Sequence, residues 1–598
     1  MSVLIQADQP QRFVLGDQGP ACSNVLSPIE SCKSFDNCHV CDGTDDAMDG
    51  LFVSISSILG APADQIKLIF CLLIAYPLST IYVRLPKNNP QIKYAYNVAV
   101  SMFFLIPILR LYWGTVHLLV SSGFTYITTK RVKSQNMPWI VFTFVMTHLL
   151  VNHVYRMTHL TLDDLEITGS QMVLVIKLST FAWNVHDGRQ PTESLDPSQL
   201  ATRIQDYPSL LEFLGYVFYF PGLLVGPAFD FVSYRSLIDE TIFTPPTSSS
   251  SNGLQVSEKK NESTSKVQRR VPAGRKRVAY LKFAQGLVFL LLFTLFNPQF
   301  NYAMSVDSKW ATKPFWYRLG TTQLFGFFAR TKYYGAWSLT EGAAILSGLG
   351  FNGFNASGQP RWDKTANIDI KNIEFAPNFK VLLDSWNINT NIWLRNCIYK
   401  RVTPKGERPG FKSSMLTFLT SALWHGFYGG YYLTFILGGF IQTVARQCRG
   451  FLRPLFTPPL LSPPPKGQKQ QTKSLPPPPP TLPKRAYDLL GIVCTQLVLN
   501  YVAGPFCLLT ISDSIRSWGN MTWYGHIMVF VPLLFFKSPA TGILKKMATQ
   551  REERARFLSQ GTPELIVLPP TPATEKFSDT PDVIPPVHKI IDESKKDI

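Results

Sequence analysis

The sequence predicts an all-α, polytopic membrane protein with about 10–11 transmembrane helices and re-entrant segments enclosing a catalytic chamber. Three observations predict it. Apolar residues gather in blocks of about eighteen or more, and roughly 20 residues cross a hydrocarbon core. Charged residues make up only 16% of the 598-residue chain, while aromatics reach 13%. The net charge of +18 lies mostly between and after the apolar blocks. That placement fits cytosolic loops under the positive-inside bias and argues against a nucleic-acid surface.

Residues 1–48 are polar and acidic, lack the apolar core of a signal peptide, and are expected to be a disordered extension. Cys22, Cys32, Cys38 and Cys41 fall there, with His39 between the last two. One C-x-x-C without a second spaced pair argues for loose cysteines over zinc, so no metal site is expected. Met48 stands directly before the first apolar block, so residues 1–47 read as a mis-called start.

The membrane domain is expected over 49–540, opening with apolar blocks at 51–83, 94–120, 138–155 and 170–185. The region 209–232 is apolar too, but Gly215, Pro221, Gly222, Gly226 and Pro227 interrupt it. Such backbone survives at membrane depth only where protein or a watery cavity satisfies it, which predicts a re-entrant segment lining a chamber. A Ser-rich basic linker at 244–277 includes Lys259, Lys260, Arg269, Arg270, Arg275, Lys276 and Arg277; a Pro-rich one at 454–485 includes Pro476 to Pro480. Neither can bury a core, so both are expected to be disordered cytosolic loops. Further blocks follow at 280–298, 315–350 (read as up to two crossings), 413–444, 487–510 and 522–537. The cytosolic tail 541–598 ends Lys595-Lys596-Asp597-Ile598. Its two lysines resemble the dilysine retrieval signal, which predicts the endoplasmic reticulum membrane.

Chemistry concentrates in two places. The run Ser421 to Tyr432 contains Trp424-His425-Gly426, and His425 is the one ionisable acid–base side chain between Met415 and Val444. An imidazole buried among apolar residues is costly unless partnered, so it is a functional candidate by default. Read alone, it fits a core histidine bonded to a carbonyl equally well. Upstream lies the longest polar stretch of the membrane half, 350–411, with Trp386, Asn387, Asn389 and Asn391. Read as a helix, this stretch puts Asn387 and Asn391 on one face. Asparagine is no base near neutral pH, but it can hold a carbonyl or hydroxyl in place. Asparagines that cap turns in a surface loop are the alternative. Lys400, Arg401, Lys405, Arg408 and Lys412 could meet an anionic substrate, and a positive-inside loop explains them equally well.

Rival constellations are poorer. No G-x-S-x-G elbow, Walker A motif, H-E-x-x-H or dinucleotide fingerprint occurs. His148, His153 and His159 lack the paired short spacings of a di-iron site. His159 and Asp164 spell H-x-x-x-x-D without the phosphate-binding motif that should follow, and read as coincidence. His117 and His526 read as structural.

Trp386-Asn387, followed by Trp424-His425-Gly426, resembles the membrane-bound O-acyltransferase (MBOAT) family, in its fungal lysophospholipid acyltransferase branch. Matching stretches are Asp164 to Met172, Phe181 to Arg189, Pro208 to Tyr216, Phe220 to Phe229 and Trp386 to Pro409. The resemblance spans about 50–540 and carries the family's histidine to His425 and its asparagine to Asn387. It implies acyl-CoA as co-substrate, no bound cofactor, and a lysophospholipid acceptor with a free glycerol hydroxyl, as in phospholipid remodelling and synthesis. On that reading His425 is the general base and Asn387 orients substrate. Asn391, Trp424, Lys400 and Arg401 are the expected substrate contacts, and Gly426, Gly429 and Gly430 admit close approach. A sterol, diacylglycerol or protein acceptor is the alternative within the family. A proton-coupled transporter is the alternative outside it, though the repeated halves that transporters show are absent.

Overall fold

The computed structural model describes residues 47–59, 62–160, 164–244, 271–404, 407, 410–457 and 481–560. The cysteine-bearing extension, most of both linkers and the dilysine end lie outside the described residues, as do Lys405 and Arg408. The described residues are helical, with no strand beyond two isolated bridges, Phe354–Pro360 and Ile368–Trp386.

Six helices build the first half: α1 (Ala47–Leu59), α2 (Ala63–Tyr82), α3 (Pro90–Phe103), α4 (Tyr112–Arg131), α5 (Met137–His159) and α6 (Thr168–Gly188). The block 94–120, expected as one span, is two helices. A π-helical turn over Phe104–Ile108 contains Pro107, and Arg110 follows at φ 53°, so the helix cannot run through. α6 is buried on nearly every side although it carries Gln171, Lys177, Asn184 and Asp187, and it sits at the centre of the first core.

The interrupted region comes next. α7 (Leu210–Val217) and α8 (Phe231–Ile238) flank a 3-10 turn, Phe220–Gly222, and irregular backbone through Pro227. Tyr216, Phe218 and Tyr219 have no exposed surface, so this backbone needs internal partners. It has them: Ser101 donates to the Phe218 carbonyl at 2.7 Å, and the Lys177 ammonium donates to the carbonyls of Tyr216 and of Val217 (3.0 Å). The ammonium also lies over the Tyr216 and Phe229 rings, at 4.5 and 4.6 Å from their centroids.

α9 (Arg275–Phe296) packs along α10 (Phe315–Ser347), where Lys282 pairs with buried Glu341 at 2.9 Å and Gln285 donates to Ser338 Oγ at 2.8 Å. The 315–350 block is thus one long helix, stopped by Gly348 at φ 102°. Short helices Phe379–Ser385 and Ile388–Trp393 precede α11 (Phe411–His425) and α12 (Gly429–Phe451). Next come α13 (Leu482–Leu508), α14 (Ile511–Asn520), α15 (Tyr524–Lys537) and α16 (Ala540–Gln560). A second core joins α10, α12, α13 and α15.

Among the described residues, α2, α5, α9 and α13 are long and apolar enough to cross a membrane, and the pair α15–α16, bent by 75°, makes a fifth at most. Counting apolar blocks gives more because it ignores breaks such as Pro107 and Gly426, and because α6 and α10 have the length but carry polar residues inward.

Candidate functional site

α11 ends on His425, and the sequence dictates where. Gly426 takes φ 117° and ψ −160°, a conformation that residues with a Cβ scarcely enter, so the helix stops and the chain turns into α12. Trp424 fixes the turn on one side: it is buried, donates from Nε1 to the Met172 carbonyl of α6 at 3.0 Å, and packs on Trp393 at 5.9 Å. His153 of α5 fixes it on the other, its Nε2 lying 3.3 Å from the Trp424 carbonyl. Gly430 lets α12 close onto α13: its N–H donates to the Leu509 carbonyl at 2.7 Å, and a Cβ there would stand 2.0 Å from the Pro505 oxygen. Gly429 likewise faces Ile511. The close approach that these two glycines admit is thus that of neighbouring segments of the chain.

The His425 ring sits among Trp424, Tyr431, Phe435 and Phe506, with centroids 4.8, 5.5, 5.3 and 5.0 Å away. Phe435 is nearly parallel to it, at 22°. Its Nδ1 is buried and has no hydrogen-bond partner among the described residues, so the carbonyl-satisfied core histidine of the alternative reading is not what these residues build. The imidazole opens on a small cavity of about 10 Å³, also lined by His153, Arg156, Gly426, Tyr428 and Tyr431. A neutral imidazole so placed can take a proton from a hydroxyl that enters.

Asn387 stands at φ 45° and ψ 54°, breaking the helix that the sequence suggests over this stretch. Left-handed backbone tolerates asparagine better than most residues. Asn387 Oδ1 accepts from Asn367 Nδ2 at 3.1 Å and from Thr390 Oγ1 at 2.8 Å. Asn367 also receives Asn389, through its backbone N–H and side chain, and is the hub of the cluster. Asn391 donates to the Leu383 carbonyl at 2.9 Å and so ties its own turn to the preceding helix. Trp386 beds the cluster on Tyr333, Tyr334 and Trp337. No hydrogen bond among the described residues joins Asn387 to His425. Their elements meet instead through Trp393, the last residue of the Asn387 helix, on Trp424.

The two cations are engaged elsewhere. Lys400 pairs with Asp196 at 2.8 Å and bonds Ser198 Oγ at 3.0 Å. Burial disfavours the Asp196 carboxylate, but the hydrogen bonds from Lys400, Ser198 and Gln199 outweigh it and hold the group well below the usual range. Arg401 pairs with buried Asp187, at 2.9 Å to Oδ1, and lies 4.1 Å over the Trp183 ring. Asp187 is likewise lowered: burial opposes its charge, and the bonds from His186 and Arg401 prevail.

The remaining histidines lie apart. His117 Nδ1 meets His148 Nε2 at 2.8 Å, and His526 Nδ1 meets the Tyr501 hydroxyl at 2.6 Å. His159 is exposed and stacked on Tyr155. Sequence reasoning missed Asn367, His153 and Arg156. The last two had a signal, since Asn152, His153 and Arg156 put polar groups on one face of an apolar helix.

Comparison with known proteins bears on the whole chain. A family model described as MBOAT, membrane-bound O-acyltransferase family, matches residues 150–464, which include Asn387, His425, His153 and Arg156. A lysophospholipid acyltransferase of Schizosaccharomyces pombe is 40% identical over 488 residues, covering 82% of this chain and 89% of the relative. Another from Saccharomyces cerevisiae is 36% identical over 521 residues, 86% of this chain and 80% of the relative. Membrane-bound glycerophospholipid O-acyltransferase 2 of Gallus gallus is 29% identical over 494 residues, 81% of this chain and 88% of the relative.

Proposed function

The chain belongs to the membrane-bound O-acyltransferase family, and from that premise we propose that it moves an acyl chain from acyl-CoA to the free hydroxyl of a lysophospholipid. It is an acyltransferase embedded in a membrane; the acceptor, donor and catalytic residues are our reading. The observation that carries the reading is His425, whose imidazole lines a cavity and whose Nδ1 has no hydrogen-bond partner among the described residues. The names of the yeast relatives supply the acceptor class.

In this mechanism His425 takes the proton of the acceptor hydroxyl as its oxygen attacks the thioester carbonyl. The tetrahedral intermediate then collapses, the carbon–sulfur bond breaks, and the CoA thiolate recovers the proton from the imidazolium. No enzyme nucleophile is needed. Because Asn387 Oδ1 is already taken by Asn367 and Thr390, its amide nitrogen is the group that would donate to the substrate oxygen. Trp424 holds the base in place, and Asn391 holds the turn that carries Asn387. Lys400 and Arg401 would lend positive field to the path of CoA, each already balanced by an aspartate. We place it in the endoplasmic reticulum membrane, and the basic linker supports a cytosolic side for that loop.

The test uses microsomes carrying wild type or His425→Ala at matched abundance, labelled acyl-CoA and a panel of lysophospholipids. Transfer by wild type and a loss of at least about a hundredfold in the variant are expected. A wild type that acylates no lysophospholipid removes the acceptor class; an active His425→Ala removes the base.

A further inference from the structure

One charged group in the His425 cavity has no task in the mechanism above. Arg156, in the last turn of α5, lines that cavity and is only 6% exposed. Its Nε and Nη2 are buried without hydrogen-bond partners among the described residues. The nearest carboxylate is Glu166, at 3.5 Å from Nε. That carboxylate is committed to the backbone N–H and the hydroxyl of Thr168. A buried guanidinium whose Nε makes only a long ion contact and whose Nη2 makes none is costly, and such groups in membrane proteins mark substrate paths.

We propose that Arg156 binds the phosphate of the lysophospholipid acceptor and thereby sets its hydroxyl against His425. The inference rests on the function proposed above. A guanidinium presents paired N–H donors that match two phosphate oxygens at once, and the idle donors of Arg156 include such a set. Covalent distance selects the source of the phosphate. In a 1-acyl lysophospholipid, the reacting hydroxyl and the phosphate ester sit on adjacent glycerol carbons, so one molecule can reach both Arg156 and His425, which line the same cavity. In acyl-CoA, the whole pantetheine arm separates the thioester from the nearest phosphate, which would fall outside the cavity when the carbonyl is inside. Sterols and diacylglycerols carry no such anion, so an Arg156 with this task also selects the acceptor class.

The test separates the two substrates. In microsomes, initial rates are measured for wild type, Arg156→Gln, Arg156→Lys and Glu166→Gln, varying lysophospholipid at saturating acyl-CoA and then the reverse. Expected for Arg156→Gln is a KM for lysophospholipid raised about tenfold or more, the loss of a charge-assisted pair, with the KM for acyl-CoA within about twofold of wild type. Arg156→Lys should recover part of it as a point charge. Glu166→Gln should leave the lysophospholipid KM unchanged. An unmoved lysophospholipid KM in Arg156→Gln overturns the inference, as does a rise confined to acyl-CoA. It is also overturned if Glu166→Gln reproduces the Arg156→Gln defect, which would make Arg156 a structural ion-pair partner. Should Arg156→Gln fail to accumulate, Arg156→Lys is judged by the same KM split. A wild type inactive on every lysophospholipid overturns the function reading and this one together; an active wild type with an unmoved Arg156→Gln overturns this one alone.

Discussion

Gly426→Ala tests whether the turn after His425 is what aims the base. The glycine adopts φ 117° and ψ −160°, a region essentially reserved for glycine, where any other residue costs on the order of 1–3 kcal/mol. The added methyl would also stand 3.1 Å from His153 Cγ and 3.2 Å from its Nδ1. That ring cannot swing away freely, because it is 4% exposed and bonded to the Trp424 carbonyl. Both penalties are relieved together only by shifting the peptide that joins His425 to Gly426. A displacement of about 1 Å at a reacting group can lower turnover roughly a hundredfold. The expected outcome is therefore kcat down about 10- to 100-fold, with thermal unfolding in detergent lowered by several degrees. Gly410→Ala is the control, since that glycine caps the same helix at φ −104° with nothing within 4 Å of its added methyl. It should match wild type in both measurements. Wild-type turnover in Gly426→Ala would show that the site tolerates a moved histidine and would refute the argument.

Two further substitutions probe the neighbouring parts. Asn387→Gly keeps the left-handed backbone and removes the amide, whereas Asn387→Ala adds about 1–2 kcal/mol of backbone strain; both lose the acceptor of Asn367 and Thr390 and should lose turnover, and the alanine variant should melt several degrees below the glycine one. Equal turnover in Asn387→Gly and wild type would remove the asparagine from the chemistry. Arg401→Gln leaves the Asp187 carboxylate buried and without its bidentate partner, at about 3–5 kcal/mol, read as a fall in melting temperature. In wild type the Asp187 carboxyl is lowered, so this pair's contribution is full above about pH 4, the unfolded range, and disappears as the pH falls through the folded value.

The fold class was legible because membrane helices must be apolar along their whole length, and α2, α5, α9 and α13 satisfy that within single blocks. The irregular stretch before Pro227 was legible for the opposite reason, as glycine and proline interrupt an apolar run with no polar loop between. Breaks inside a block were harder to see. Pro107 splits one block through a single ring, and Gly426 splits another through a backbone angle that only the folded turn requires. His425 stood out as the lone ionisable group in its block. Arg156, some 270 residues earlier in the chain by the spacing of its neighbour His153 to Trp424, gave no local sign of sharing its cavity. Asn367 was equally silent, because its role depends on facing Asn387 and Asn389 across a turn. Lys400 and Arg401 were visible as cations, but their aspartate partners lie more than 200 positions away.

Lys177 has a consequence for how the protein is made. Its carbonyl partners at Tyr216 and Val217 are 39 and 40 residues downstream, so the ammonium leaves the ribosome before they do. At about 5–20 residues per second, the interval is roughly two to eight seconds. During it, a helix with a central lysine faces an insertion penalty of about 2.5–3.5 kcal/mol for that residue alone. α6 is therefore a poor candidate for release into lipid by itself. It is better retained at the insertion machinery until the broken segment arrives to receive the charge. Lengthening the exposed turn at Thr192–Ser194 would prolong that wait with little change to the finished structure, and the yield of membrane-integrated protein should fall with each addition.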